Sequence, residues 1–223
     1  MVALRAVLRR MEKEYEANSD FRFKYPYFGE ANMYLDIMQW KLWDVELARV
    51  GPDVIRMDQV QSDFVLDVVT PARRFISRVL GGRGISDIQF QLPMSQSSSR
   101  VLVDRRLMTQ ALYHLLDNAV KYFQGPPSNF RCSVMCRETS SMLQIDVEDN
   151  GVGIRDEDVE KIFQQGFRCQ DAEIVGIPGS GLGLWLSKKL IERHEGTLTL
   201  SHRVNPTVFT IRLPIAPPQA GNP

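Results

Sequence analysis

An apolar, helix-forming stretch ending in Leu115-Leu116-Asp117-Asn118-Ala119-Val120-Lys121-Tyr122 precedes two glycine-rich segments, Asp149-Asn150-Gly151-Val152-Gly153 and Gly179-Ser180-Gly181-Leu182-Gly183-Leu184. Each glycine cluster alone marks only turns where the backbone needs positive φ. The order of the three segments constrains the chain much more, and together they describe a nucleotide site.

The 223 residues carry a formal net charge of +0 and no long basic run, so neither a nucleic-acid footprint nor a polybasic membrane patch is expected. Cys132, Cys136 and Cys169 are odd in number and lack paired zinc-ligand spacings, which argues against a disulfide framework or a structural metal site. No apolar run approaches the roughly 20 residues needed to cross a bilayer. Arginines interrupt the apolar residues of Met1 to Arg10, where a signal peptide would be uninterrupted, and the expected location is cytoplasmic.

Periodicity separates two regions. Val2 to about Ala17 has apolar residues at three- and four-residue spacings, as does the segment from about Ala31 to Val50 through Leu35, Met38, Leu42, Val45 and Leu47. The segment between them, Ser19 to Gly29, breaks the pattern, and Gly51-Pro52 stops the second helix. Such a hairpin, residues 1–51, leaves its apolar stripes facing water and is expected to complete a bundle with a second copy; packing on the rest of the chain is the alternative.

Residues 52–214 read as a mixed domain. A short strand is expected at Val54 to Met57, a helix at Ser62 to Leu80, a turn at Gly81 to Gly84, a strand at Ile88 to Leu92 and a polar loop at Ser95 to Ser99. Val101 to Val103 reads as a strand, and Asp104 is placed to cap a helix over Arg105 to Phe123. A hairpin is expected over Arg131 to Glu138 and Met142 to Glu148, a short helix at Asp156 to Phe163, a helix at Leu182 to His194, and strands at Thr197 to His202 and Thr207 to Leu213. Residues 215–223 read as a loose tail. The class is α+β, a two-layer α/β sandwich with helices on one face of one sheet.

Placed on these elements, Asn118 could give an amide oxygen to magnesium, a hard cation that takes oxygen ligands and keeps waters beside phosphate. Lys121, three residues on, could meet phosphate as a point charge. Asp149, ending a strand, could accept from an adenine amino group, although an ordinary turn aspartate reads the same way. Gly151 and Gly153 would let the backbone approach the base, and Gly179, Gly181 and Gly183 lead into a helix whose N–H groups can meet phosphate. No P-loop sequence is present, and no glycine motif has the Rossmann arrangement.

These segments resemble the boxes of sensor histidine kinases, members of the Bergerat-fold ATPase superfamily. Leu115 to Tyr122 looks like the N box, Asp149 to Gly153 the G1 box, Ile162-Phe163-Gln164-Gln165-Gly166-Phe167-Arg168 the F box, and Gly179 to Leu184 the G2 box. The likeness covers about Asp53 to Pro214. Before it, Trp43 to Gly51 is similar to the close of the second helix of a dimerisation and phosphotransfer hairpin.

The resemblance implies ATP and Mg2+ as ligands, with Asn118 on the metal and Lys121 and Tyr122 on the phosphate and sugar side. It implies Asp149 on the adenine amino group, with Gly151 and Gly153 beside the base. Gln164 to Ser180 would form the ATP lid, anchored by Phe163 and Phe167 with Arg168 near the phosphates, and Gly179, Ser180, Gly181, Leu182 and Gly183 would form the phosphate-facing helix start. No residue is firmly assigned to catalysis, Lys121 and Arg168 being the candidates. The implied activity is transfer of the ATP γ-phosphoryl group to a histidine; the alternative is a nucleotide-binding regulator of the same fold that transfers nothing. A response regulator and a second copy of the chain are the implied protein partners, with any membrane attachment through segments outside this chain.

Two departures qualify the likeness. His114 stands where many members carry asparagine, and is read as a helix-face residue without a ligand role, an altered metal environment being the alternative. No histidine followed by an acidic residue occurs in the hairpin, since the histidines are His114, His194 and His202. The expectation is therefore a fragment whose acceptor histidine lies before Met1, inactive for autophosphorylation by itself.

Overall fold

The computed structural model describes residues 28–82, 84–85, 89–91, 100–139, 141–169, 177 and 179–216. The first hairpin helix, the Ser95 to Ser99 loop, the centre of the expected lid and most of the tail lie outside these residues. The chain divides into two compact units, Met1–Val45 and Glu46–Pro223. In the first, the described residues belong to helix α1, Phe28–Val50, which leaves Leu35, Met38, Leu42 and Val45 exposed at 42%, 60%, 63% and 58%.

The second unit runs in order through β1 (Val60–Asp63), a π-helical turn (Val65–Val69), α2 (Thr70–Gly82), β2 (Gln89–Gln91), β3 (Arg100–Val103) and α3 (Arg105–Lys121). After these come β4 (Cys132–Glu138), β5 (Met142–Asp149), α4 (Gly183–Arg193), β6 (Thr197–His202) and β7 (Thr207–Pro214). A five-stranded sheet has the order β2-β4-β5-β7-β6, with β2 parallel to β4 and the other pairs antiparallel. It is therefore a mixed sheet, as the α+β sandwich requires.

Three local expectations are corrected. The strand expected at Val54 to Met57 is instead a 3-10 turn at Pro52–Val54, and the strand forms later, as β1. Gly51, at φ 89, and Pro52 start a turn here, and the alternation that fits a half-buried strand begins only at Val60. Strands β1 and β3 form their own two-stranded ladder, so the strands do not make one sheet; the bridge Val101–Ile215 links β3 to the chain just after β7. The helix expected over Asp156 to Phe163 reduces to a 3-10 turn at Asp156–Asp158 followed by turns. Its three acidic residues suit a helix start, but only Val159 and Ile162 supply an apolar stripe before Phe163.

The core lies between the sheet and α3. Leu107, Met108, Ala111, Leu112, Leu115, Leu116, Ala119 and Val120 of α3 are all buried, against Leu143, Ile145 and Val147 of β5 and Phe209, Ile211 and Leu213 of β7. Burying a Leu or Ile side chain of this kind stabilises the fold by about 1.5–3 kcal/mol. Asp104 caps α3, accepting from the N–H groups of Arg106 at 3.1 Å and Leu107 at 3.2 Å. Helix α4 is tied to α3 by Ser187, whose hydroxyl donates to Ala111 O at 3.0 Å. Arg193, in its last turn, donates to Pro52 O at 2.5 Å and Ile55 O at 2.7 Å, holding the segment before β1.

Candidate nucleotide site

The pocket begins with strand alternation. Leu143, Ile145, Val147 and Asp149 share the core face of β5, so the period that buries three apolar residues also carries the final carboxylate inward. Asp149 is 7% exposed. It faces Thr207 across the ladder, where odd-numbered residues of β7 share the same inner face. The carboxylate accepts the Gly151 N–H at 2.8 Å. Burial nevertheless pushes its pKa up from 3.8 to about 6, opposed by the Gly151 N–H and by the Thr207 hydroxyl beside it, with Glu148 adding to the rise. Thr207 Oγ1 favours the ionised form but is buried and completes no hydrogen bond.

The turn after β5 is clamped on two sides. Val152 N–H donates to Tyr122 O at 3.1 Å, and Ile154 N–H donates to Arg203 O at 2.8 Å. The glycines are needed for this approach. A Cβ on Gly151 would stand 2.8 Å from Asp149 Oδ1, and one on Gly153, at φ +79, would stand 2.9 Å from Arg203 O.

Asn118 and Tyr122, at the carboxyl end of α3, line the resulting cavity together with Asp149, Gly153, Phe167 and Arg168. The same cavity is lined by Ile154, Ile162, Cys169, Leu184, Thr207 and Phe209, none of which the boxes singled out as ligand-binding. Thr207 and Phe209 could have been found by extending the inner-face alternation of β7 and pairing it with Asp149; Cys169 carried no comparable signal. The polar groups converging on an apolar pocket are Asn118, Asp149, Arg168 and Thr207.

The remaining expected residues stand around the pocket without lining it. Lys121 is ion-paired with Asp117, one turn earlier on α3. Phe163 packs edge-on against Phe209, with ring centroids 6.2 Å apart, and Lys188 Nζ lies 4.9 Å from the Phe163 centroid. Gly166 N–H donates to Gly181 O at 3.1 Å, joining the F-box segment to the second glycine segment. Gly179 and Ser180 are exposed, Gly181, Leu182 and Gly183 are half-buried, and α4 begins at Gly183. Arg168, which does line the pocket, donates to Ile177 O at 2.6 Å. His114 is buried and does not line the pocket; a Cβ on Gly183 would stand 3.6 Å from its ring, so α4 begins against it.

A family model described as histidine kinase-, DNA gyrase B- and HSP90-like ATPase matches residues 103–217. The chain belongs to that family. It is 34% identical over 150 residues to the sensor-like histidine kinase SenX3 of Mycobacterium tuberculosis, covering 67% of this chain and 36% of that protein. It is also 34% identical over 116 residues to the sensor protein RprX of Bacteroides fragilis, covering 52% of this chain and 22% of that protein. The chain thus spans well under half the length of these curated relatives. Among solved structures it is similar to the mycobacterial sensor histidine kinase MprB, with a TM-score of 0.52 and 26% identity, covering 73% of this chain and 99% of that one. Within the family, the pocket built by Asp149, Thr207 and Asn118 lies in the matched ATPase region.

No group of three or more His, Cys, Asp or Glu side chains suited to a metal ion occurs among the described residues. Asn118 brings one neutral amide oxygen to the pocket, which would fit a magnesium ion that arrives with a nucleotide and keeps its other positions for phosphate and water. At the other side of the pocket the buried Asp149 carboxylate and Thr207 hydroxyl face each other across the ladder, polar groups that suit the edge of a base.

Proposed function

We propose that the chain binds ATP in this pocket and passes the γ-phosphoryl group to a histidine outside this segment, as the catalytic region of a two-component sensor kinase. The observation that carries this reading is the cross-strand pair of Asp149, an inward carboxylate, and the buried Thr207 hydroxyl beside it, in a pocket that Asn118 and Arg168 share.

Asp149 accepts from the adenine amino group with the oxygen that Gly151 leaves unused, and Thr207 gains a partner at the ring or through a water. Apolar Ile154, Ile162, Leu184 and Phe209 bury the base and exclude water around it. Asn118 offers its amide oxygen to magnesium, which neutralises phosphate charge when bound. Arg168, held by Ile177 O, turns its remaining N–H groups toward the phosphates, and Lys121 reaches them by leaving Asp117. The acceptor imidazole nitrogen forms a bond to the γ-phosphorus as the bond to the ADP oxygen breaks. Positioning and charge neutralisation are the chain's contribution.

The exposed stripe Leu35, Met38, Leu42 and Val45, spaced by three and four residues, supports a homodimer through the hairpin, since such a stripe packs as a bundle seam. A response regulator would then take the phosphoryl group from the histidine. The test supplies the chain with magnesium, ATP labelled at the γ-phosphate and a separate hairpin bearing the acceptor histidine. Label on the imidazole, acid-labile and base-stable, is expected. Nucleotide binding with no label transferred would leave a regulator and remove the kinase.

A further inference from the structure

Helix α3 reaches the pocket with two neighbouring rows of side chains. Asn118 and Tyr122, four residues apart, line the cavity, while Asp117 and Lys121, one residue before each, form an ion pair. The pair is drawn in from the surface: Asp117 is 6% exposed and Lys121 is half-buried. The Asp117 charge is also felt at the cavity wall. Burial pushes the Tyr122 hydroxyl up from its ordinary pKa, Cys169 and Asp117 add to the rise, and Arg168 opposes it.

Positive charge is scarce in the pocket while this pair is closed. Among the described residues lining the cavity Arg168 is the one cation, and Asp149 is an acid. Lys121 stands in the last turn of α3, where both Asp117 and the carbonyl end of the helix attract an ammonium. Separating the pair leaves a buried carboxylate without its cation, so it opens only where ligand charge compensates the ammonium. A phosphate chain supplies that charge. A nucleoside without phosphate offers Lys121 nothing in exchange.

We propose that Asp117 is a positioning residue that sets phosphate specificity, its ion pair with Lys121 forming a latch that opens for a nucleotide's phosphate chain and stays closed for the bare nucleoside. This rests on the nucleotide reading above and adds how the same pocket weighs phosphate charge. Asp117 touches no ligand; it acts through Lys121. Its carboxylate holds the ammonium back and so lowers the affinity for ATP, and a neutral side chain of the same shape frees the ammonium for phosphate.

Calorimetric titration of ATP with magnesium, and of adenosine, into wild type, Asp117→Asn, Lys121→Gln and the double variant measures the latch as a coupling between the two side chains. Asp117→Asn should bind ATP at least about fivefold more tightly than wild type, and adenosine within about twofold of it. In the Lys121→Gln background the same change should raise ATP affinity by less than about twofold. Asp117→Glu, which keeps a carboxylate one turn from Lys121, should return ATP affinity to within about twofold of wild type. An equal gain with and without Lys121 would mean that the carboxylate repels phosphate by its own charge, and would overturn the inference. So would an Asp117→Asn chain that binds ATP no more tightly than wild type, or one that gains as much for adenosine. Should Asp117→Asn fail to fold, magnetic resonance of the lysine side chains in the wild-type chain decides. The Cε signal that Lys121→Gln lacks should shift on adding ATP with magnesium and stay in place with adenosine; a signal indifferent to ATP overturns the latch while leaving the nucleotide reading intact. Wild-type protein that binds no ATP overturns that reading, and the latch with it.

Discussion

Gly166 and Gly181 close on one another: the Gly166 N–H donates to Gly181 O at 3.1 Å, and a Cβ on Gly181 would lie 2.6 Å from Gly166 O. Gly181 also has φ +71, where a side chain is strained. The atoms a methyl group would strike are backbone, so no rotamer relieves the clash. Gly181→Ala should therefore cost about 1–3 kcal/mol in this local arrangement, weakening ATP binding roughly 5- to 150-fold. Cleavage between residues 166 and 181 under limited proteolysis should rise, while the melting temperature of the β5–β7 core should barely move.

How much of this was legible in the sequence differs by element. The β4–β5 hairpin, the Asp104 cap and helices α3 and α4 announced themselves through alternation, a capping side chain and long apolar stripes, all of them local signals. The glycine boxes drew attention to Asp149 because turn and strand end coincide there. Thr207 went unmarked, since its importance comes from a cross-strand register with Asp149 that no local pattern encodes. The division into a two-stranded ladder and a five-stranded sheet is a tertiary choice of the same kind. Lys121 is adjacent in sequence to the pocket-lining Tyr122, yet an ion pair with Asp117 occupies it.

Thr207 Oγ1 is buried without a completed hydrogen bond, which costs the ligand-free fold about 1–3 kcal/mol. Thr207→Val keeps the shape and removes that cost. Urea denaturation should show the variant as stable as wild type or more so, while its affinity for ATP falls. A variant that loses stability and keeps its affinity would mean that the hydroxyl serves the fold alone.

His194 links two helices, its ring bonded to Leu190 O at 2.6 Å and accepting the Asp104 N–H at 3.0 Å through Nε2. The ring is therefore neutral, with hydrogen on Nδ1, and burial lowers its pKa below 6.5 despite the Leu190 carbonyl. A depressed folded pKa means that the unfolded chain takes up the proton first. Stability is full above about pH 6.5 and falls as pH drops from there towards the folded value. His194→Gln, which does not titrate, should be less stable at pH 8 but lose less on acidification to pH 5; equal slopes in urea melts would refute the assignment.

Asp149 works in the opposite sense. Its folded pKa is raised from 3.8 to about 6, so the folded chain holds a proton that the unfolded chain has released. The favourable contribution exists below about pH 3.8 and is lost as pH rises through about 6, leaving a cost of about 3 kcal/mol at neutral pH. Asp149→Asn should therefore raise the stability of the ligand-free chain at pH 7 by about 1–3 kcal/mol. In wild type, ATP affinity should weaken as pH falls below about 6, because a protonated carboxyl has lost an acceptor.

The same substitution separates fold from recognition. A carboxylate has two acceptor oxygens, one for Gly151 N–H and one for an adenine amino group, whereas an amide has a single oxygen and must fail one of them. Calorimetric titration of ATP with magnesium into the wild-type chain and Asp149→Asn at pH 7.5 measures this directly. Wild type should bind ATP and discriminate against GTP, and the variant, folded and at least as stable, should bind ATP at least about tenfold more weakly. A stable Asp149→Asn chain that binds ATP as tightly as wild type would contradict the proposal that this carboxylate reads the base.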